Sequence, residues 1–192
     1  KPLQEQNGAI IEVNASPGLR MHLQPYHGRP RDVGTPIVEM LFPHGTSRIP
    51  LTAITGTNGK TTVTRLISHI YETAHHVVGM TSTNGVYIDG RRVVAGDCAG
   101  PGSARMVLRD PRVEAAVLET ARGGIISRGL AFDCCAVGVV TNVKRDHLGL
   151  AGIHTQEQLA QVKQVVVEAV RPDGAAVLNA EDPLVAQMAA AC

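Results

Sequence analysis

Lys60 and the two hydroxyl residues after it, Thr61 and Thr62, close the stretch Gly56-Thr57-Asn58-Gly59-Lys60-Thr61-Thr62, in which each residue type has a use in handling phosphate. Gly56 and Gly59 lack a Cβ, so the backbone between them can curl and turn successive N–H groups toward one anion. The Lys60 ammonium would face the terminal phosphates, and a hydroxyl from Thr61 or Thr62 would serve Mg²⁺ beside them. An apolar run ending at Thr55 precedes the stretch and a helical pattern follows it, so the positive end of a helix dipole favours the same anion. The loop is shorter than the common GxxxxGK[ST] form, because Ile54 stands where that form has its first glycine. The glycine spacing alone also suits a plain strand-to-helix turn. Lys-Thr-Thr at the junction is what favours the phosphate cradle.

A second set of chemical groups lies at predicted strand ends. Ala115 to Glu119 is a buried-type strand closing on a carboxylate, and Ala136 to Thr141 repeats the plan before Asn142, Asp146 and His147. In parallel sheets ligands gather at the carboxyl ends of strands, so Glu119 and His147 are expected at the edge that carries the loop. Near the start, Gly8 to Leu23 is expected to hold a short strand with Glu12 and Asn14 on one face, a pair of oxygens suited to Mg²⁺. The same two residues also fit an edge strand with solvated polar side chains. His69, His75 and His76 have no carboxylate or cysteine at ligand spacing and are read as solvated or capping groups.

These groups need elements to position them. Val63, Leu66, Ile67 and Ile70 recur with helical spacing from Lys60 to Tyr71 and predict one sheet-facing side. His76 to Met80 predicts a strand, and Asn84-Gly85 and Asp89-Gly90 predict hairpin turns after it. Gly100 to Ser103 marks a helix start with Ser103 as the expected cap. Thr155 and Gln158 form a capping box ahead of a helix to Val170, with Leu159, Val162, Val166 and Val170 as its apolar face and Lys163 adjoining that face. A turn at Pro172-Asp173-Gly174 and a strand from Ala175 to Leu178 lead to Asn179 and Asp182. Strand and helix alternate, which predicts an α/β fold: a mostly parallel sheet with helices on both faces.

Composition limits the classes. A hydrophobic fraction of 44% in 192 residues supports a core, and an aromatic fraction of 3% means it is built from Ala, Val, Leu and Ile. A net charge of +1 gives no electrostatic case for nucleic acid or a membrane surface and favours a small polar ligand. Cys98, Cys134, Cys135 and Cys192 show no CxxC pair and read as reduced, cytosolic thiols. No signal peptide or membrane-length apolar run is visible. The Pro-, Gly- and Arg-rich stretch 24–36 reads as a linker, giving segments 1–23, 24–48 and 49–192, and the chain is expected to be a piece of a longer protein, incomplete at its C-terminal side.

The stretches Thr55 to Thr62, Glu119 to Gly124, Thr141 to Leu148 and Asn179 to Pro183 resemble, in order and rough spacing, the ATP-binding domain of the Mur ligase family. Gly100 to Ala104, Leu118 to Ile125 and Asp146 to Gly149 look like the cyanophycin synthetase branch, in which such a domain follows an ATP-grasp domain. Glu12 to Leu23 resembles the closing metal-binding strand of an ATP-grasp domain, so residues 1–23 would be its tail. The resemblance implies a cytoplasmic, homo-oligomeric ligase that uses ATP and Mg²⁺ to extend a polymer of aspartate and arginine. L-Aspartate would join the backbone at the ATP-grasp part, and L-arginine the Asp side chain at the Mur-like part. It also implies roles: Thr61, Glu119 and His147 hold metal, Asn179 and Asp182 contact the nucleoside, and Lys163 is carbamylated to orient a second Mg²⁺. An ordinary snorkelling lysine is the alternative for Lys163. The chain departs from the family pattern at Asn84, Ser127 and Lys144-Arg145, which leaves room for altered substrate choice. A sibling class that joins preformed dipeptides has an inactive Mur-like domain, and intact Lys60, Glu119 and His147 argue against it.

Overall fold

A computed structural model describes residues 3–10, 12–43, 48–146 and 148–191. The chain divides into two compact units, Lys1–Arg48 and Ile49–Cys192.

The first unit has a 3₁₀ turn at Leu3–Gln6 and two helices, α1 (Arg20–Leu23) and α2 (Gly34–Leu41), neither of which buries a residue. Asp32 Oδ1 accepts from the N–H groups of Gly34 and Thr35 and so starts α2. The strand expected within 8–23 does not form among the described residues. A strand leaves its backbone groups unpaired unless another strand lies alongside, and the described residues of this unit supply none. Asn14 and Glu12 instead pair with each other, Nδ2 donating to Oε1 at 3.0 Å in an exposed position.

The second unit is built on seven strands: β1 (Leu51–Thr55), β2 (Val78–Ser82), β3 (Gly85–Ile88), β4 (Arg91–Ala95), β5 (Ala115–Glu119), β6 (Cys135–Val140) and β7 (Val170–Leu178). They lie in the order β4-β3-β2-β5-β1-β6-β7. The five strands from β2 to β7 in that order run parallel, and β3 and β4 form an antiparallel margin. Asp89 and Gly90, both at positive φ, turn β3 into β4 as the sequence predicts. The predicted turn at Pro172 to Gly174 appears inside β7 as a shift of register, after which Ala175 to Leu178 pair with β6.

Helix α3 (Lys60–Thr73) covers one face of the sheet, where Val63, Ile67 and Tyr71 pack on Ile54, Val78, Val117 and Val139. The inward side of α3 carries Thr64 and Ser68, while Leu66 and Ile70 are 59% and 66% exposed. The expected face is therefore displaced around the helix. Val63 and Ile67 fit both stripes, and the sheet selects the one whose remaining members, Thr64 and Ser68, are short enough for close approach.

Helices α4 (Pro101–Arg109), α5 (Arg122–Arg128) and α6 (Gln156–Glu168) cover the opposite face. There Ala104, Val107, Ile125 and Val166 meet Ala53, Ala116 and Leu118. Gly100, and not Ser103, is the N-cap of α4; Pro101 can follow it because a first-turn N–H has no helical partner to lose. The Thr155/Gln158 capping box forms as predicted. The last helix, α7 (Pro183–Ala186), follows β7. Cys98 and Cys135 are buried thiols. Among the described residues no helix is long and apolar enough to cross a membrane.

Candidate active site

Parallel strands ending at one edge bring distant segments together, and every strand in the parallel set delivers part of this site. From β1 the chain enters the loop at Gly56, whose φ of 144° suits glycine and whose absent Cβ would sit 1.9 Å from Thr141 Oγ1. Gly59 caps α3 in the left-handed region at φ 84°, with nothing within 4 Å of where a Cβ would stand. The loop therefore lies flush on the exit of β6 at one end and is open at the other. The Lys60 ammonium folds over it and donates to the Thr57 carbonyl at 2.9 Å.

The exit of β6 holds the loop in place. Thr57 N–H donates to the Asn142 backbone carbonyl at 2.9 Å, Asn58 N–H to Asn142 Oδ1 at 3.0 Å, and Lys144 N–H to Thr57 Oγ1 at 3.0 Å. The loop N–H groups of Thr57 and Asn58 are thus engaged by protein, and the first-turn N–H groups of α3 remain as donors for an anion.

Glu119 ends β5 beside Ile54 of β1 and is 2% exposed. Its Oε2 accepts from Thr61 Oγ1 at 2.9 Å and from Thr83 N–H at 3.2 Å, while Oε1 has no partner among the described residues. A buried carboxylate oxygen left without a donor is costly unless a cation meets it. One carboxylate with a neighbouring hydroxyl is a donor set Mg²⁺ accepts, because it keeps several waters and takes phosphate oxygens as further ligands. Thr61 is the residue aimed at Glu119; Thr62 is exposed. No group of three or more His, Cys, Asp or Glu side chains forms a metal cluster among the described residues, and the expected ligand His147 lies outside them. Glu12 and Asn14 belong to the first unit.

Asn179 and Asp182, after β7, face the same strand edge and hold backbone. Asn179 Nδ2 donates to the Thr141 carbonyl at 3.0 Å. Asp182 is 3% exposed; Oδ2 accepts from Val143 N–H at 2.9 Å, and Oδ1 from Leu184 and Val185 N–H, capping α7. Burial alone would raise its carboxyl pKa, but those N–H groups and the Lys144 ammonium, 3.5 Å away, hold it below the usual value.

Lys163, in α6, is 3% exposed. Burial above all, then the charges of Lys60 and Arg122, bring its pKa down from 10.5 to about 8, against the opposing effect of Asp146. A lysine with an appreciable neutral fraction near neutral pH is able to react with CO₂. Beside Glu119 lies a largely apolar depression whose walls include Ala99, Pro101, Gly124, Ala131 and Phe132.

The structure thus brings Gly56 to Thr61, Glu119, Asn179 and Asp182 onto elements that leave one edge of the sheet. Sequence reasoning gave Thr83 no role, and it placed Asn142 at a strand end without assigning it one. Thr83 follows β2, a strand of the same parallel set, and the rule that picked out Glu119 would have found it. Asn142 acts on backbone, for which residue type gives no signal.

The profile of the Mur ligase middle domain matches residues 54–192. The chain is 62% identical over 190 residues to the cyanophycin synthetase of Synechocystis sp., a match covering 98% of this chain and 22% of that protein. It thus spans about a fifth of the length of the curated cyanophycin synthetases it matches. A solved UDP-N-acetylmuramoyl-L-alanyl-D-glutamate–2,6-diaminopimelate ligase shares the fold at TM-score 0.61 and 22% identity, over 90% of this chain and 33% of that one. So does a bifunctional folylpolyglutamate synthase/dihydrofolate synthase solved with Mn, AMPPNP and L-glutamate bound, at TM-score 0.56 and 21% identity, over 88% of this chain and 47% of that one. The chain belongs to the Mur ligase family, of which residues 54–192 are a middle domain.

Proposed function

We propose that this domain binds ATP and Mg²⁺ and activates a carboxylate for amide formation in an ATP-dependent ligase of cyanophycin synthesis. The observation that carries the proposal is the Thr61–Glu119 pair at the mouth of the loop, with Glu119 Oε1 buried and partnerless among the described residues. Similarity to cyanophycin synthetases supplies the substrate class. The acceptor is an aspartate–arginine polymer whose Asp side-chain carboxylate takes the γ-phosphoryl of ATP, releasing ADP, to become an acyl phosphate; the neutral amine of L-arginine then attacks the acyl carbon, inorganic phosphate leaves and the new amide nitrogen gives up a proton. L-Aspartate is added to the backbone at a separate ATP-grasp site, to which residues 1–23 contribute Glu12 and Asn14 as Mg²⁺ ligands.

The residues suit that chemistry. Two polyanions, nucleotide and acceptor, must approach each other, and the first-turn N–H groups of α3 and the Lys60 ammonium offset their repulsion. Mg²⁺ held by Thr61, Glu119 and His147 supplies further charge neutralisation when bound. Asn179 and Asp182 fix the strand edge against which the nucleoside lies. Lys163, if its neutral amine adds CO₂ and loses a proton, would become a carbamate anion able to hold a second Mg²⁺.

ATP turnover by the full-length enzyme, given a polymer primer and each amino acid in turn, tests this reading. Turnover stimulated by arginine on an Asp-terminated primer supports it. Turnover that only aspartate stimulates would leave these residues as an ATP-binding module without ligase chemistry.

A further inference from the structure

The side-chain amide of Asn142 treats Asn58 as a neighbouring strand would. Its Oδ1 accepts from Asn58 N–H at 3.0 Å and its Nδ2 donates to the Asn58 carbonyl at 3.1 Å. Thr141 Oγ1 donates to the same carbonyl at 2.7 Å, so both lone pairs of that oxygen are engaged. The peptide groups on either side of Asn58 are held in one orientation. Glycines at Gly56 and Gly59 give the loop wide conformational freedom, and without such a hold it would have to be ordered when an anion arrives.

The hold is itself anchored. Asn179 Nδ2 donates to the Thr141 carbonyl at 3.0 Å, and Val143 is gripped through its N–H by Asp182 at 2.9 Å and through its carbonyl by Gln156 Nε2 at 3.0 Å. Segment 141–144 therefore ties the loop on one side to the β7 exit and α7 on the other.

We propose that Asn142 is a positioning residue of this site: its amide presets the loop so that nucleotide phosphates meet first-turn N–H groups already in place, and the ordering cost falls before binding. The inference rests on the reading of residues 56–62 as a nucleotide site. Asn142 touches no reacting atom and acts through Asn58.

Hydrogen exchange of the peptide spanning residues 55–62 in the full-length enzyme, read by mass spectrometry during titration with ATP and Mg²⁺, tests it. The wild type is expected to show Asn58 protected without nucleotide and further protection of the loop as ATP is added. In Asn142→Ala, exchange at Asn58 accelerates before any nucleotide is present, and the half-protecting ATP concentration rises roughly tenfold to a hundredfold for the loss of two hydrogen bonds. Asn142→Asp keeps the shape but sets a second oxygen against the Asn58 carbonyl, and no rescue is expected. A wild-type loop indifferent to ATP would overturn the nucleotide reading itself. A loop that responds to ATP with the same midpoint in Asn142→Ala, or a normal midpoint and normal Asn58 protection in Asn142→Asp, would overturn the role of Asn142 alone. Should Asn142→Ala fail to fold, the Asp variant decides.

Discussion

The Thr61 hydroxyl donates to Glu119 Oε2 at 2.9 Å, while Oε1 of the same buried carboxylate meets no described partner. A carboxylate arranged in this way costs the fold something and returns it only when a cation arrives. Glu119→Gln is therefore expected to leave the melting temperature within a few degrees of wild type or above it, since Gln can still accept from Thr61 and Thr83. If the proposed function holds, arginine incorporation by the full-length enzyme should fall on the order of a hundredfold or more, as when a charged group that stabilises the reacting phosphoryl is removed. A Mg²⁺ titration of the variant checks this: an unaltered metal requirement would remove Glu119 from the metal site.

The two loop glycines should fail differently. At Gly56 a Cβ would stand 1.9 Å from Thr141 Oγ1 at φ 144°, so Gly56→Ala is expected to destabilise the domain on the order of 3 kcal/mol. At Gly59 a Cβ meets nothing within 4 Å, and Gly59→Ala carries only left-handed backbone strain of about 1 kcal/mol. Gly59→Ala should thus fold and lose nucleotide affinity, because the added methyl stands where phosphate would approach. Denaturant unfolding of both variants measures the difference; equal stabilities would contradict it.

Lys163 gives a pH dependence of unusual sign. Its pKa falls from 10.5 to about 8 on folding, so below pH 8 the lysine is charged in both states and the folded state carries the whole burial penalty. Between about 8 and 10.5 the unfolded state binds more protons, and this group's contribution to stability rises with pH, by on the order of 3 kcal/mol across the window. Lys163→Met is expected to melt higher than wild type at pH 7 in bicarbonate-free buffer, with the gain shrinking toward pH 10. Adding bicarbonate should narrow the gap at pH 7 if the amine is carbamylated. A gap that does not change with pH would mean that Lys163 is not buried as described.

Much of this was legible in the residues. Ala115 to Glu119 and the Thr155/Gln158 box appear where the sequence puts them, because each is a local pattern that tertiary structure had no reason to override. The buried face of α3 was not, since Val63 and Ile67 belong to two overlapping stripes and the choice fell to the sheet beneath. The strand expected around Glu12 needs a pairing partner that sequence spacing does not supply. The residues by themselves left Thr61 and Thr62 equal; the family resemblance chose Thr61, and the direction of α3 relative to β5 supplies the physical reason. Asn142 is legible only once β6 and β1 are neighbours, because its partner lies more than eighty residues earlier in the chain.

The most direct test of the account is arginine incorporation by full-length Lys60→Ala enzyme on a polymer primer. The Lys60 ammonium lies across the loop on the Thr57 carbonyl, 2.9 Å away, within reach of an anion that enters there. If residues 56–62 are the ATP site for arginine addition, Lys60→Ala abolishes that addition while one round of aspartate addition, served by a separate ATP site, continues. Arginine incorporation at near wild-type rate in this variant would contradict the assignment of the loop, and with it the proposed role of the domain.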